Sequence, residues 1–200
     1  MPPDLTGYVL AGGKSTRMGR DKAVLSFNGR TLLETALAAA RSVAREVFIL
    51  GSAELYGGYG TAIADIFPEC GPLGGIHAAL KHSKTELNLI LAVDTPFLSD
   101  RLLAYLERRA RESGAMVTAP EINGYPQPLC AIYSRDFLPI AEQALRDGNY
   151  KIVPLFPKDR TSLIGESELK GFAFSAEMFE NLNTPEDLER ARRRVPGTKP

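Results

Sequence analysis

Gly7-Tyr8-Val9-Leu10-Ala11-Gly12-Gly13-Lys14-Ser15-Thr16-Arg17-Met18-Gly19-Arg20-Asp21-Lys22 is the stretch on which the fold turns. Its first four residues make a short apolar run that stops at two consecutive glycines. Downstream, Leu32 to Val43 sets apolar residues at helical spacing among many alanines, so the order reads strand, glycine loop, helix. Glu46 to Leu50 carries Val47, Phe48, Ile49 and Leu50 unbroken, the pattern of a strand covered on both faces in a parallel sheet. A second βα unit has begun.

The same alternation continues. Tyr56 to Gly60 reads as a loop, Thr61 to Ile66 as a short strand, and Pro68 to Gly75 as a turn-rich loop opening a helix from Ile76 to Lys81. Leu87 to Val93 is the clearest strand, closed by Asp94-Thr95-Pro96. Ser99 then caps a helix from Asp100 to Ser113, with Leu102, Leu103, Leu106 and Ala110 on one face. Strands are expected at Ala115 to Ala119 and Leu129 to Tyr133, and a helix from Asp136 to Leu145. Lys151 to Phe156 suits a short helix, and Thr161 to Ile164 and Ala173 suit short strands. Thr184 caps the last helix, with Pro185 at its first position and Glu186 and Asp187 at its positive end. Arg190, Arg192, Arg193 and Arg194 complement its negative end. The fold class expected is α/β, a single Rossmann-like three-layer domain with a mostly parallel central sheet, over residues 1–195, with 196–200 a flexible tail.

Composition narrows the function. The 200 residues hold 24 Lys plus Arg and 24 Asp plus Glu, a formal charge of zero, so no bulk electrostatic pull toward nucleic acid or a membrane surface is expected. The N-terminus lacks a charged region followed by a long apolar stretch, and no run approaches a membrane span, which predicts a soluble, cytoplasmic chain. Cys70 and Cys130, sixty residues apart, form neither a Cys-x-x-Cys site nor a disulfide framework. With His77 and His82 they lack zinc-ligand spacing.

Ligands of such sheets bind at the carboxyl ends of the strands, which directs attention to the loops after Leu10, Ile66 and Val93. In the first loop the glycines let backbone N–H groups approach a ligand, and Lys14, Arg17, Arg20 and Lys22 supply cations for phosphate oxygens. It is not a P-loop. That pattern needs glycine at position 8, where Tyr8 stands. Nor is it a dinucleotide fingerprint, since no G-x-G-x-x-G occurs. Asp94, directly after a central strand, either holds Mg²⁺ bridging phosphates or only caps the Thr95-Pro96 turn. Asp65, after a shorter strand, either faces the same crevice or is an ordinary strand-end turn residue. Gly71-Pro72-Leu73-Gly74-Gly75 either presents backbone groups to a flat base or makes a tight strand-to-helix connection. His77 and His82 are read as structural or exposed.

Taken together, Leu10-Ala11-Gly12-Gly13-x-Ser15-x-Arg17-Met18-Gly19 with Asp21-Lys22, then Gly71-Pro72-Leu73-Gly74-Gly75, Val93-Asp94-Thr95-Pro96-Phe97 and Asn181-Leu182-Asn183-Thr184-Pro185-Glu186-Asp187 resemble the molybdenum cofactor guanylyltransferase family, in order and over nearly the whole chain. The first loop alone marks the wider nucleotidyltransferase superfamily. The double glycine Gly12-Gly13, where cytidylyl relatives carry Leu-Ala-Ala-Gly, resembles the guanylyl branch. The resemblance implies a fold of the nucleotide-diphospho-sugar transferase type. It also implies Mg²⁺-dependent transfer of GMP from GTP to molybdopterin or Mo-molybdopterin with release of pyrophosphate, and proteins that deliver or receive the cofactor. By matching position, Leu10, Ala11, Gly12, Gly13, Gly71, Pro72 and Leu73 would hold the nucleotide, Lys22 its phosphates, Asp65 the nucleoside end and Asp94 the metal. Arg17 and Lys22 would stabilise the reaction electrostatically, and Gln127, Lys151, Asn181 and Asn183 would contact the acceptor. The alternatives are a cytidylyl- or sugar-phosphate nucleotidyltransferase of the same fold, or a non-catalytic GTP-binding module.

Overall fold

The computed structural model describes residues 5–12 and 21–194. The chain runs through β1 (Leu5–Leu10), β2 (Ser26–Phe27), β3 (Arg30–Thr31), α1 (Leu32–Arg41), β4 (Glu46–Leu50), α2 (Ala53–Tyr56), β5 (Ala62–Ile63) and α3 (Gly71–His82). It continues through β6 (Leu87–Ala92), α4 (Asp100–Ser113), β7 (Val117–Ile122), β8 (Tyr125–Pro126), β9 (Cys130–Ser134), α5 (Leu138–Arg146), β10 (Thr161–Ile164), α6 (Glu166–Gly171) and α7 (Pro185–Arg194).

The main sheet has the order β10-β7-β9-β6-β1-β4-β5, with β8 paired to β7. Along this order all neighbours are parallel except at β9, which runs antiparallel to both β6 and β7; β8 is antiparallel to β7 as well. Two cores follow from the alternation of side chains along the strands. Val9, Leu89 and Leu91 face α1, α4 and α7. Tyr8, Leu10 and Ile90 face α3 and α5. The result is the three-layer α/β domain expected.

Local chemistry sets the element ends. Thr31 and Glu34 form a reciprocal capping box at α1. Ser99 Oγ accepts the Leu102 N–H, so α4 begins at Asp100, and Gly114 in the left-handed region ends it. Thr184 and Asp187 cap α7 in the same reciprocal way, each side-chain oxygen accepting the other's backbone N–H. The arginines of α7 pair with acids: Arg190 with Asp187 and Glu180, Arg194 with Glu180.

Several expectations are corrected. Gly71 to Gly75 is not loop but the opening of α3, because Pro72 is tolerated in a first helical turn, Gly74 is buried against the segment Asp65 to Cys70 and Gly75 against the sheet. At Gly75 a Cβ would overlap Leu10 Cδ2, so only glycine lets α3 pack so near β1 without displacing that side chain. Residues 53–56 form a helical turn just before the expected loop. Ala173 is not strand but a left-handed turn residue with φ 62°. The expected strand at Thr61 to Ile66 shortens to two residues, and the segment after Lys151 holds only a 3₁₀ turn at Val153–Leu155. The tail at 196–200 lies outside the described residues. No described helix is long and apolar enough to cross a membrane.

Candidate active site

Three parallel strands end level with one another. Leu10 stands opposite Leu50 of β4 and Ala92 of β6, so the segments after all three strands emerge on one edge of the sheet. β1 is also where the order reverses, since the chain moves from β1 to β4 on one side and later to β6 on the other. Such a switch point leaves a crevice between the diverging connections.

On the β4 side the crevice is about 630 Å³, within the usual range for a small-molecule site. Leu10, Gly12, Gly51, Asp65, Gly71 and Pro72 are among its lining residues. Its floor is stitched by backbone bonds. The Ala11 and Gly12 N–H groups both donate to Leu50 O, at 3.1 and 3.2 Å, and Gly51 N donates to Ile63 O. Asp65 is exposed, yet partial desolvation around its carboxyl raises its pKa above the ordinary 3.8.

On the β6 side sits a charged cluster. Asp21 accepts the Ala23 N–H and so caps a 3₁₀ turn at Lys22–Val24. That turn aims Lys22 Nζ at Asp94 Oδ2, 3.1 Å away, and at Asn183 Oδ1, 2.9 Å away. Asn183 arrives because Leu182 N donates to the Asp94 carbonyl, while Asp187 Oδ2 accepts the N–H of Asn183. Asp187 is held down to a pKa of about 2 first by Arg190 and then by these N–H groups. Lys22 and Asp94 are both partly buried, which excludes some of the screening that weakens surface pairs.

The residues singled out in the sequence thus fall into groups. Leu10, Gly12, Asp65, Gly71 and Pro72 line the crevice. Lys22 and Asp94 join Asn183, which was expected on the acceptor side but bonds directly to Lys22. Asn181 is exposed one residue before the Leu182 anchor. Leu73 is different: its side chain is fully buried with Leu10, Leu50 and Ile76 in the α3 core. Ala11 is also buried, its carbonyl turned to Tyr56. Gln127 lies where the β8 hairpin returns, its backbone N–H on Pro120 O and its side-chain amide on Tyr125 O. Lys151 is exposed beyond α5. Neither lines the crevice nor bonds to the Lys22 cluster. Gly13 and Arg17 lie outside the described residues.

His77 and His82 stay away from the site. His77 is buried on α3 beside Phe67 and 3.6 Å from Glu142, and burial lowers its pKa. His82 meets the Tyr8 hydroxyl at 3.1 Å. Sequence reasoning missed Tyr56 altogether. Its hydroxyl is 2.7 Å from Asp21 Oδ2 and 3.1 Å from Ala11 O. A tyrosine in a glycine-rich stretch carries no periodic signal that could have found it.

Comparison with known proteins agrees with this geometry. A family model described as the MobA-like NTP transferase domain matches residues 7–158. The molybdenum cofactor guanylyltransferase of Desulfosudis oleivorans is 35% identical over 190 residues, covering 94% of each chain. That of Syntrophotalea carbinolica is 31% identical, covering 96% of this chain and 92% of its own. The crystal structure of molybdopterin-guanine dinucleotide biosynthesis protein A from Archaeoglobus fulgidus superposes with a TM-score of 0.81 at 27% identity, over 94% of this chain and 97% of that one. A cytidylyltransferase for 2-C-methyl-D-erythritol 4-phosphate from Thermus thermophilus, at 19% identity and a TM-score of 0.68, shares the fold. The sheet order, the crevice at its switch point and these likenesses along nearly the full length place the chain among the MobA-like nucleotidyltransferases, in the molybdenum cofactor guanylyltransferase family.

Proposed function

We propose that this protein transfers GMP from GTP to the terminal phosphate of molybdopterin, or of its molybdenum-loaded form, and releases pyrophosphate. The observation that carries the reading is the Lys22–Asp94–Asn183 cluster standing beside a nucleotide-sized crevice at the ends of β1, β4 and β6. The attacking oxygen belongs to a phosphate monoester, whose second pKa is near 6, so it is anionic at neutral pH and needs no general base. Its oxygen bonds to the α-phosphorus as the bond from that phosphorus to the α,β-bridging oxygen breaks. Pyrophosphate leaves with the electron pair. The protein's part is alignment and charge neutralisation, for which Lys22, held by two oxygens, is preorganised. Arg17 would add a second cation to the phosphates.

A magnesium ion fits the donor set. Among the described residues no three His, Cys, Asp or Glu side chains converge. A single carboxylate, Asp94, at a strand end is what that ion takes when phosphate oxygens and water complete its shell. Bound there it would supply neutralisation of charge on the phosphates.

Asp65 suits the nucleoside end, because a carboxylate accepts from both the ring N–H and the exocyclic amine of guanine and finds no such pair on adenine. Asp65→Asn is expected to weaken GTP binding and narrow the preference for GTP over ATP. Its stability should move the other way. The folded chain holds the Asp65 proton more tightly than the unfolded chain, so the carboxylate costs stability as the pH rises through the raised pKa. The melting temperature of the variant relative to the parent should therefore rise between pH 3 and 7. A variant equally selective for GTP would remove Asp65 from base recognition.

The direct test is calorimetric titration with GTP, CTP, ATP and UTP, with Mg²⁺ and with EDTA, on the parent and Asp94→Ala. Selective GTP binding that weakens in EDTA and in the variant is expected, followed by GMP transfer to molybdopterin in a turnover assay. Preference for CTP or UTP would move the assignment to a cytidylyl or sugar-phosphate transferase. Binding without turnover would leave a GTP-binding module.

A further inference from the structure

We propose that Tyr56 is a positioning residue that ties the two ends of the phosphate-binding stretch together and thereby sets Lys22 for transfer, an inference that rests on the guanylyltransferase reading above. Tyr56 reaches both Ala11, directly after β1, and Asp21, directly before Lys22. Its hydroxyl is 3.1 Å from the Ala11 carbonyl and 2.7 Å from Asp21 Oδ2. A phenol has one proton to give. The shorter distance assigns it mainly to the carboxylate, where a charge-assisted bond is the stronger of the two.

The second oxygen of the same carboxylate carries the effect onward. Asp21 Oδ1 accepts the Ala23 N–H and so caps the turn that holds Lys22. The line of contacts thus runs from Tyr56 through Asp21 to the turn from which Nζ reaches Asp94 and Asn183. Tyr56 touches none of these last groups. It acts through Asp21.

The surroundings are built to keep this ring in place. Tyr56 is 3% exposed and ends the single helical turn α2, directly after β4. Gly51 lies against it: a Cβ there would come within 2.8 Å of the ring. Burial together with the Asp21 carboxylate pushes the hydroxyl pKa far up, so the proton that makes the bond stays on through the physiological range. Loss of a buried hydrogen bond to a charged group, and the slight misplacement of a reacting cation that follows, are each able to cost tenfold or more in rate.

Tyr56→Phe keeps the ring and removes only the hydroxyl. In steady-state assays of GMP transfer it should lower kcat/KM for GTP by about 10- to 100-fold while the KM for molybdopterin stays within about twofold. Asp21→Asn keeps one oxygen for the Ala23 N–H but presents an N–H₂ donor to the Tyr56 hydroxyl, which can still accept it while donating to the Ala11 carbonyl, so it should lose less than Asp21→Ala. Asp21→Ala should lose at least as much as Tyr56→Phe, and the double variant no more than Asp21→Ala, because both changes cut one chain of contacts. Circular dichroism and melting curves on each variant check that the folded fraction is unchanged. Activity of Tyr56→Phe within twofold of an active parent overturns the inference and leaves the guanylyltransferase reading standing. A loss shared equally by GTP and acceptor and tracking the folded fraction also overturns it, since that is a merely structural role. A parent that neither binds GTP nor transfers GMP overturns both.

Discussion

Lys22→Ala is expected to lower kcat/KM for GMP transfer by about two orders of magnitude, roughly 3 kcal/mol, the scale of losing one preorganised electrostatic donor. The size of the effect follows from how the ammonium is held. Asp94 and Asn183 fix it from two directions, so the parent spends little reorganisation bringing its charge to the phosphates. Alanine removes that charge and also leaves Asp94 without its cation. An anionic site beside an anionic substrate then has one partner fewer. Lys22→Arg is not expected to restore the rate, because a planar fork does not reproduce a point charge seated between a carboxylate and an amide oxygen. Turnover with GTP and molybdopterin checks both variants, with melting curves to confirm folding. Unchanged turnover in Lys22→Ala would remove Lys22 from the reaction.

Leu73→Ala should do the opposite: a large loss of stability and little change at the nucleotide. Its side chain is 0% exposed, packed with Leu10, Leu50, Ile76 and Leu80 beneath the start of α3. Truncating such a leucine removes its transfer free energy and leaves a cavity, about 2–5 kcal/mol together. Denaturant midpoints on the two proteins measure that directly. GTP affinity, read at a temperature where both are folded, should stay within about threefold, because the buried side chain is not among the residues that line the crevice. Weakened GTP binding at unchanged stability would return Leu73 to the nucleotide site.

The contrast between these two residues shows where sequence reasoning succeeds. Runs such as Leu87–Ala92 and the Ser99-capped α4 were legible to within a residue, because burial on both faces and a capping hydroxyl leave marks in local order. Lys22 and Asp94 were legible as a pair of chemically useful ends. The meeting of Lys22 with Asn183 was not, since composition and spacing carry no signal for a contact made across the whole chain. Strand direction was equally silent: Cys130–Ser134 has the apolar pattern of its parallel neighbours, yet runs against them. Gly71 to Gly75 was misread because two glycines and a proline signal a loop by propensity. Packing of α3 against Leu10 overrode that preference. Tyr56 was missed for a related reason: its importance lies in what its hydroxyl touches, which no pattern in the sequence records.

The bond between Lys22 and Asn183 spans 161 positions in the chain. A ribosome adding 5–20 residues per second needs roughly 8–30 s to cover that distance. From Pro72 onward the emerging polypeptide already holds β1, β4, β5 and the start of α3, every residue that lines the crevice, but not the segment that braces the lysine. The residues that line the crevice are therefore translated early and the one that braces the lysine last. Asn183 arrives together with Leu182, Leu188 and Ala191, which complete the core on that face of the sheet, so the lysine is braced and the core is closed by the same last stretch of chain.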